Sequence, residues 1–509
     1  MKPIYFILAI LISSFINIKS DATAISFEVA ADGFTLSEDK SVLTITGAGP
    51  FDLTGSFENK KIIVQSSCTL NIEDFKIMNS GSLTPILISE NKAVEIALNS
   101  ESLLTDSATN ENEGTIYLQK GASLTISGKG RLIINPNKLM AINGTEGTSL
   151  TVDDEANIII GSTLSTTGGI YLRKSITFND ATFGYVAEKG THHAIDSEGD
   201  IKIIKGKYNI KSGNGKGIQS EKNLYIGEEN GNDSDLSLSI TTSNEGIEAM
   251  GITLYSGNVE IFAEQDGINA ASPGDECGEN APRCSGNCVC YIKIQGGKLY
   301  LTSGEDGLDA NGDIFISGGK VLVFAASESE DQPIDQDGIL SITGGSIIAA
   351  GSSKMQGGVS AQTNQTAKIY SGSIKAEDVL LVTDSKGTEI LNQKAPKAAG
   401  YIYLNHIYSF TLKINDAEVT LSEPTQSQQP GQGGQGDPNF SDGMGPGPMS
   451  SDGNHPGPGG PNFSDGMGPG PMSSDGNPQK TGEEEEEEDG SSFLGFSKIL
   501  FVILVFFCN

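Results

Sequence analysis

The chain has 509 residues and a formal net charge of −32. This charge excludes nucleic acid and anionic lipid surfaces as partners and favours multivalent cations. The 64 glycines, the absence of Trp and the scarcity of long apolar helical patterns indicate turn-rich β structure.

The N-terminus has the pattern of a secretory signal. Met1–Pro3 precedes the apolar run Ile4–Ile16, which is too short to span a bilayer comfortably, and Ala22–Ala24 offers a small-residue cleavage site. We expect residues 1–24 to be removed and the protein to be secreted.

Short alternating strands punctuated by Gly, Asn, Asp and Ser follow from residue 25 to about residue 137. The predicted strands are Ser41–Thr46, Lys61–Val64, Thr69–Ile72, Ile86–Ile88, Val94–Leu98, Thr115–Leu118, Ser123–Ile126 and Arg131–Ile134. Leu150–Ile160 and Gly169–Phe178 continue the pattern. We interpret these segments as early coils, less regular than the later ones.

From about residue 191 to 350 one phrase of glycine, aliphatic and polar residue recurs, with a basic step of 21 to 23 residues once insertions are set aside. Its aliphatic residues are Ile195, Ile218, Ile247, Ile268, Leu308 and Ile334. A period of this size, built from strands and turns, predicts a β-solenoid. After Met355, Ala367–Ile374, Val379–Val382 and Tyr401–Leu412 read as closing strands that cap the open end.

The residue after each aliphatic is predicted to face outward, because successive side chains of a strand alternate between faces. These residues are Asp196, Gln219, Glu248, Asn269, Asp309 and Asp335, with further acids at Glu245, Asp266, Asp306 and Asp337. Stacked coils would turn them into a column of oxygen atoms that suits Ca²⁺. The equal alternative is a solvated acidic face with turn-forming Asp and Asn. As a cation site, the middle coils are weaker than the last coils, because they contain Asn269 in place of an acid and are interrupted by the cysteine insertion.

Four cysteines, at 277, 284, 288 and 290, lie in one insertion between coils. In an oxidising compartment they predict two disulfides, paired either as Cys277–Cys288 with Cys284–Cys290 or as Cys277–Cys290 with Cys284–Cys288. A zinc site is the rival interpretation. Sequons at Asn143, Asn232, Asn364, Asn439 and Asn462 permit glycosylation in a eukaryotic source.

Residues 422–489 read as a flexible stalk. Pro438–Asn454 recurs at Pro461–Asn477, and Glu483–Asp489 is a run of acids. Residues 490–509, with the apolar stretch Phe493–Phe507, predict a C-terminal anchor of the glycosylphosphatidylinositol kind or a short transmembrane segment. Only this anchor would bring the chain to a membrane, at the cell surface.

Several motifs together carry a family resemblance. They are Gly55-Ser56-Phe57 before Lys61–Val64, Asp266-Gly267-Ile268-Asn269-Ala270, Gly312–Val323, Pro333–Gly338, and Gly344–Gly351 leading to Met355. Within the predicted domain 25–421, the stretch from about Ser41 to Leu421 resembles the calcium-containing carbohydrate-binding domain related in fold to pectate lyases. The resemblance implies a right-handed, single-stranded parallel β-helix that holds Ca²⁺ between coils and binds acidic polysaccharide such as polygalacturonate without cleaving it. Asp306, Asp309, Asp335 and Asp337 match its calcium-rich turns best.

Two other functions have specific sequence requirements. A polysaccharide lyase of this fold would need a base, usually Arg, beside calcium, and none of Arg131, Arg173 and Arg283 is expected in the coils next to the acidic column. A neutral glycan would need an aromatic platform, and Tyr255, Tyr291 and Tyr300 are scattered in the sequence. A structural surface coat with stabilising calcium remains the other alternative to a non-catalytic binder.

Overall fold

The computed structural model describes residues 33–164, 166–187, 189–242, 244–271, 277, 289–327, 331–352 and 361–424. The predicted signal segment, the stalk beyond residue 424, the C-terminal anchor, Asn439 and Asn462 lie outside these residues. All regular structure in the described part is β-strand. A helix with the length and apolarity needed to span a membrane is not found among the described residues.

The described part is a parallel β-solenoid, as predicted, and its strands stack in three ladders. Ladder 1 contains Val42–Ile45, Lys61–Val64, Ile86–Ile88, Gly114–Leu118, Met140–Gly144, Gly168–Leu172, Ile195–Ser197, the first parts of Ile218–Ile226 and Ile247–Leu254, Ile268–Ala270, Leu308–Ala310 and Ile334–Gln336.

Ladders 2 and 3 follow ladder 1 within each coil. Ladder 2 contains the first parts of Phe51–Glu58 and Cys68–Met78, then Ala93–Leu98, Ser123–Ser127, Ser149–Val152, Ser175–Phe178, Asp200–Ile203, the second parts of Ile218–Ile226 and Ile247–Leu254, Tyr291–Ile294, Asp313–Ile316, Leu340–Ile342 and Ala361–Thr363. Ladder 3 contains the second parts of Phe51–Glu58 and Cys68–Met78, then Glu101–Thr105, Arg131–Asn135, Ala156–Gly161, Ala181–Ala187, Gly206–Ser212, Leu236–Thr242, Asn258–Ala263, Lys298–Thr302, Lys320–Phe324 and Ser346–Gly351.

The repeated aliphatic residues form one inward column of ladder 1, which confirms their predicted role. Ile195 pairs with Ile218, and the register continues rung by rung to Ile334. Each of these six side chains is at most 4% exposed. Fully burying such a side chain contributes roughly 1.5–3 kcal/mol, so the repeated aliphatic stabilises every coil.

The glycine of the phrase is required by the close approach of consecutive coils. A Cβ atom on Gly246 would lie 2.6 Å from the carbonyl oxygen of Gly267, and one on Gly307 would lie 2.4 Å from the carbonyl oxygen of Pro333. Both separations are shorter than van der Waals contact. A side chain here would force neighbouring coils apart and weaken the ladder.

Two sequence predictions need correction. The early coils are not a less regular region, because Val42–Ile45 and Lys61–Val64 already belong to the same ladder as the later coils. The single segment predicted at Leu150–Ile160 is a strand, a corner and a second strand. Asp154 and Glu155 make that corner with φ angles of 54° and 61°, a conformation that the local apolar alternation does not reveal.

Antiparallel strands close both ends of the described stack. Phe34–Leu36 pairs with Val42–Ile45 at the start. At the other end Ala399–His406 lies between Ser346–Gly351 and Thr366–Ile374, antiparallel to both. Separately, the strands Val379–Asp384, Glu389–Lys394, Phe410–Ile414 and Ala417–Glu418 form a small antiparallel sheet. The predicted capping strands are therefore present, and a bridge between Ile369 and Ser422 carries the fold just past the predicted boundary at residue 421.

Candidate functional site

The outward column of ladder 1 places the predicted oxygen-bearing residues on consecutive rungs. Register pairs join Asp196, Gln219, Glu248, Asn269, Asp309 and Asp335 in that order. Neighbouring rungs of a sheet are about 4.8 Å apart. The column therefore brings together side chains that are far apart in sequence, and we call it the oxygen column.

The turn before ladder 1 carries the second set of predicted acids. Asp266 accepts a hydrogen bond on Oδ1 from the backbone N–H of Asp306 at 2.9 Å. Asp306 accepts one in the same way from the N–H of Gln332 in the next coil. Both residues thus have the turn-stabilising role that was the alternative to metal binding, each through one of its two carboxylate oxygens.

Burial and mutual repulsion weaken the acidity of this group. Burial, then the charges of neighbouring acids including Asp266 and Asp306, raise the pKa of Asp309 to about 8. Burial likewise raises the pKa of Asp306 to about 7 and that of Asp266 to about 6, against the lowering effect of their backbone hydrogen bonds. Holding these carboxylates ionised together costs free energy that a bound cation would offset.

One amide oxygen on the oxygen column has unmet bonding capacity. The Oδ1 atom of Asn269, on the rung next to Asp309, is buried without a hydrogen-bond partner. The Oε1 atom of Gln336 is also buried without a partner, but Gln336 pairs with inward Ala310 and so lies on the other face of the strand. Amide and carboxylate oxygens are the ligands of Ca²⁺. Across the described ranges, no group of three His, Cys, Asp or Glu side chains is already gathered for a metal. The donor set fits Ca²⁺ in kind, with the amide oxygen of Asn269 beside the carboxylates.

The middle of the oxygen column contains its own cation. The ammonium of Lys216 lies 3.1 Å from Oε2 of Glu245 and forms an ion pair with Glu248. Glu248 is only 8% exposed. The structure therefore brings the two glutamates together around a lysine. This separates them from the acids of the last coils with which they were grouped as candidate metal ligands.

A recess lies at the other end of the same column. Tyr117, Asn143, Tyr171 and Asp196 occupy consecutive rungs and line a cavity of about 200 Å³. Sequence analysis missed Tyr117 and Tyr171. Their signal is the recurrence of Ile-Tyr-Leu at 116–118 and 170–172, which marks the same rung position in two coils.

One expectation about arginine is wrong. Arg173 lines this recess together with Asp196, because Tyr171 pairs with Asp196 and brings its coil against the first coil of the acidic column. Nε of Arg173 lies 3.4 Å from Oε1 of Glu198, and the hydroxyl of Tyr171 donates to the same oxygen at 2.8 Å. Burial is the main reason why the pKa of Asp196 is raised to about 7.

The three sequons in the described residues differ in their exposure to solvent. Asn143 is buried, 5% exposed, and its Nδ2 donates to the carbonyl oxygen of Glu113 at 3.1 Å. Asn232 and Asn364 are exposed. A glycan on Asn143 would conflict with the folded coil, whereas the other two positions are accessible.

The insertion between the ladder-1 strand Ile268–Ala270 and the ladder-2 strand Tyr291–Ile294 contains a disulfide between Cys277 and Cys290, whose Cα atoms are 6.1 Å apart. This bond belongs to the second of the two predicted pairings. Cys284 and Cys288 lie outside the described residues. The carbonyl of Cys277 accepts a hydrogen bond from Asn311 at 2.8 Å, which fixes the base of the insertion to the next coil.

Fold and surface together define a β-solenoid whose outer faces present ordered rows of polar and aromatic side chains. A family model described as carbohydrate-binding domain-containing protein matches residues 39–273 and again residues 234–419. The chain belongs to this carbohydrate-binding family. The two matches overlap, as expected when successive coils resemble one another. No curated protein and no solved structure matched the chain.

Proposed function

We propose that this protein is a non-catalytic, calcium-dependent binder of acidic polysaccharide, of the polygalacturonate type, held at the cell surface. Membership of the carbohydrate-binding family supports the ligand class. The sequence of the predicted signal, stalk and anchor supports the location. The cation requirement and the acidic nature of the glycan rest on the last coils of the oxygen column.

The observation that carries the proposal is the cluster of partly buried acids around Asp309 beside the unpartnered amide oxygen of Asn269. Asp306, Asp309, Asp335 and Asp337 would hold the ion, with Asp266 and the Oδ1 atom of Asn269 beside them. When bound, Ca²⁺ supplies positive charge and coordination positions that the carboxylates of a uronic acid polymer can share. The carboxylates of the last coils would hold the ion at the surface. In the middle coils the ammonium of Lys216 already occupies the place between the two glutamates.

A lyase is disfavoured by distance. Of the arginines that the structure describes, Arg173 is the one beside the oxygen column; it lies in the coil of Tyr171, five rungs from Asp309. At about 4.8 Å per rung this is about 24 Å. A general base must come within hydrogen-bond reach of the proton that it removes, so one sugar unit could not meet both groups.

Affinity of the secreted chain for polygalacturonate, with calcium and with chelator, tests the proposal. We expect chelator to lower the affinity of the wild type at least tenfold. Asp309→Asn should show the same loss of affinity in the presence of calcium. Glu73→Gln, at an exposed position far from the cluster, is the matched control and should bind like the wild type. Equal affinity with and without chelator would contradict the proposal.

The same preparation separates the structural-coat alternative. If calcium only stabilises the solenoid, chelator will lower the melting temperature while the calcium-loaded protein binds no acidic glycan. Release of unsaturated products that absorb in the ultraviolet would instead identify a lyase.

A further inference from the structure

The outer face of ladder 2 carries a strip of aromatic and lysine side chains. Lys202, Tyr225, Thr253, Lys293 and Phe315 occupy consecutive rungs of one outward column. Tyr255 and Tyr291 flank the column. We call these four aromatic residues and two lysines the aromatic strip. Tyr255 and Tyr291, which are scattered in the sequence, are thus close together in the fold, whereas Tyr300 lies apart from them on ladder 3.

The side chains of the aromatic strip contact one another. The rings of Tyr225 and Tyr255 are nearly parallel, 13° apart, with centroids at 6.5 Å. The ammonium of Lys202 lies 5.8 Å from the ring centroid of Tyr225. The ammonium of Lys293 lies 3.9 Å from the centroid of Tyr291 and 5.9 Å from that of Phe315. Each lysine of the strip thus lies within cation–π distance of at least one ring.

The rings are fixed from beneath. A Cβ atom on Gly251 would lie 2.7 Å from Cζ of Tyr291, so the missing side chain is what lets this ring lie across the sheet. The Tyr291 hydroxyl donates to Oδ1 of Asn223 at 3.3 Å, and Nδ2 of Asn223 donates to Asp200 at 3.0 Å. Thr253 is only 3% exposed. Side chains locked in this way form a preorganised surface.

We propose that the aromatic strip is a second glycan-binding face, which takes one chain of a polyuronate along the solenoid axis without calcium. Pyranose rings would pack on the tyrosines, and carboxylates would pair with Lys202 and Lys293. The rung spacing of about 4.8 Å is comparable to the length of one pyranose unit. The inference rests on the glycan class of the proposed function but not on the cation cluster.

Charge distribution selects a uronate over a densely sulfated glycan. The protein carries a net charge of −32, which opposes any polyanion at long range. The two lysines are three rungs apart, about 14 Å, with aromatic rings between them. This arrangement suits a polymer with at most one charge per ring, whose intervening rings can stack, whereas a dense polyanion would need more cations.

Titration of the full chain with polygalacturonate in chelator tests the strip separately from the cation cluster. Because only three of the 13 tyrosines lie in the strip, the affinity is measured by calorimetric titration rather than by tyrosine fluorescence. We expect the wild type to retain measurable binding in chelator. The affinity of Lys202→Gln/Lys293→Gln in chelator should be at least tenfold lower. Asp309→Asn should remove only the calcium-dependent part of the affinity.

Matched controls and a ligand series complete the test. Lys207→Gln, at an exposed position on ladder 3, should bind like wild type, and unchanged melting temperatures will show that all variants fold. The methyl-esterified polymer, which keeps the rings and loses the charge, should bind more weakly than polygalacturonate. Absence of binding in chelator, an unaffected double variant, or tighter binding of a sulfated glycan would overturn the proposal.

Discussion

The middle and the last coils of ladder 1 present acids in the same register but neutralise them differently. In the middle coils Lys216 lies between Glu245 and Glu248. In the last coils burial and like charges raise the pKa of Asp309 to about 8. A solenoid can therefore repeat an acidic residue at one backbone position while changing the group that neutralises its charge. This contrast is the reason for proposing an external cation at the last coils, where the described residues place no ammonium group between the acids.

The largest effect is expected from removing the internal cation. Lys216→Met leaves two close carboxylates without their partner, and breaking a buried pair costs about 3–5 kcal/mol. Chemical denaturation in chelator should show this loss of free energy of unfolding. Calcium should restore part of it, since the middle coils then resemble the last ones. Lys207→Gln serves as the control, and an unchanged denaturation midpoint for Lys216→Met would contradict the comparison.

Acidity should affect the last coils in the opposite sense to ordinary acid denaturation. Asp266, Asp306 and Asp309 keep protons in the folded state that the unfolded chain releases near pH 4, because their folded pKa values lie at about 6, 7 and 8. Without calcium, their contribution to the free energy of unfolding falls as pH rises from about 4 to about 8.

Melting temperatures across this range, with calcium and with chelator, measure the effect. Calcium should flatten the decline, since the ion favours the charged form of the carboxylates. If the melting temperature declines equally steeply with and without calcium, these acids do not bind the ion.

A smaller effect is expected from a single neutral substitution. Asp309→Asn removes the carboxyl group whose pKa is raised most, so in chelator near pH 8 it should stabilise the fold by about 1–2 kcal/mol. In calcium the same variant should gain less stability from the ion than the wild type does. Denaturation midpoints in the two conditions give both numbers. A variant less stable than wild type in chelator would contradict this view of Asp309.

The solenoid was predictable because its signal is local and repeated. Inward Ile218 and Ile247 recur with their flanking glycines, so stacking register follows from alignment of the phrases. The partner of Glu248 was not predictable in this way. Lys216 lies just before a phrase, and only the turn geometry brings its ammonium to the carboxylates of the next coil.

The aromatic strip was missed for a related reason. Tyr225, Tyr255 and Tyr291 are separated by unequal distances in sequence, and the insertion before Tyr291 hides that it follows Gly251 by one rung. In the later coils ladder 2 repeats a short aliphatic strand followed by Gly-Gly, at 292–297, 314–319 and 340–345, but the coils of Tyr225 and Tyr255 lack the Gly-Gly pair. Its outward column emerges only once ladder 1 has fixed which residues share a coil.

The insertion closed by Cys277 and Cys290 shows how such a scaffold can be extended. Asp266 and Asp306 are 40 residues apart, yet they are hydrogen-bonded neighbours, so the added residues between them leave the register of the coils unchanged. The entropic cost of closing a loop grows only slowly with its length. This corner is therefore a natural position for grafting foreign peptide loops, since a sequence of another length, closed by the same pair of cysteines, would be displayed on an unaltered scaffold.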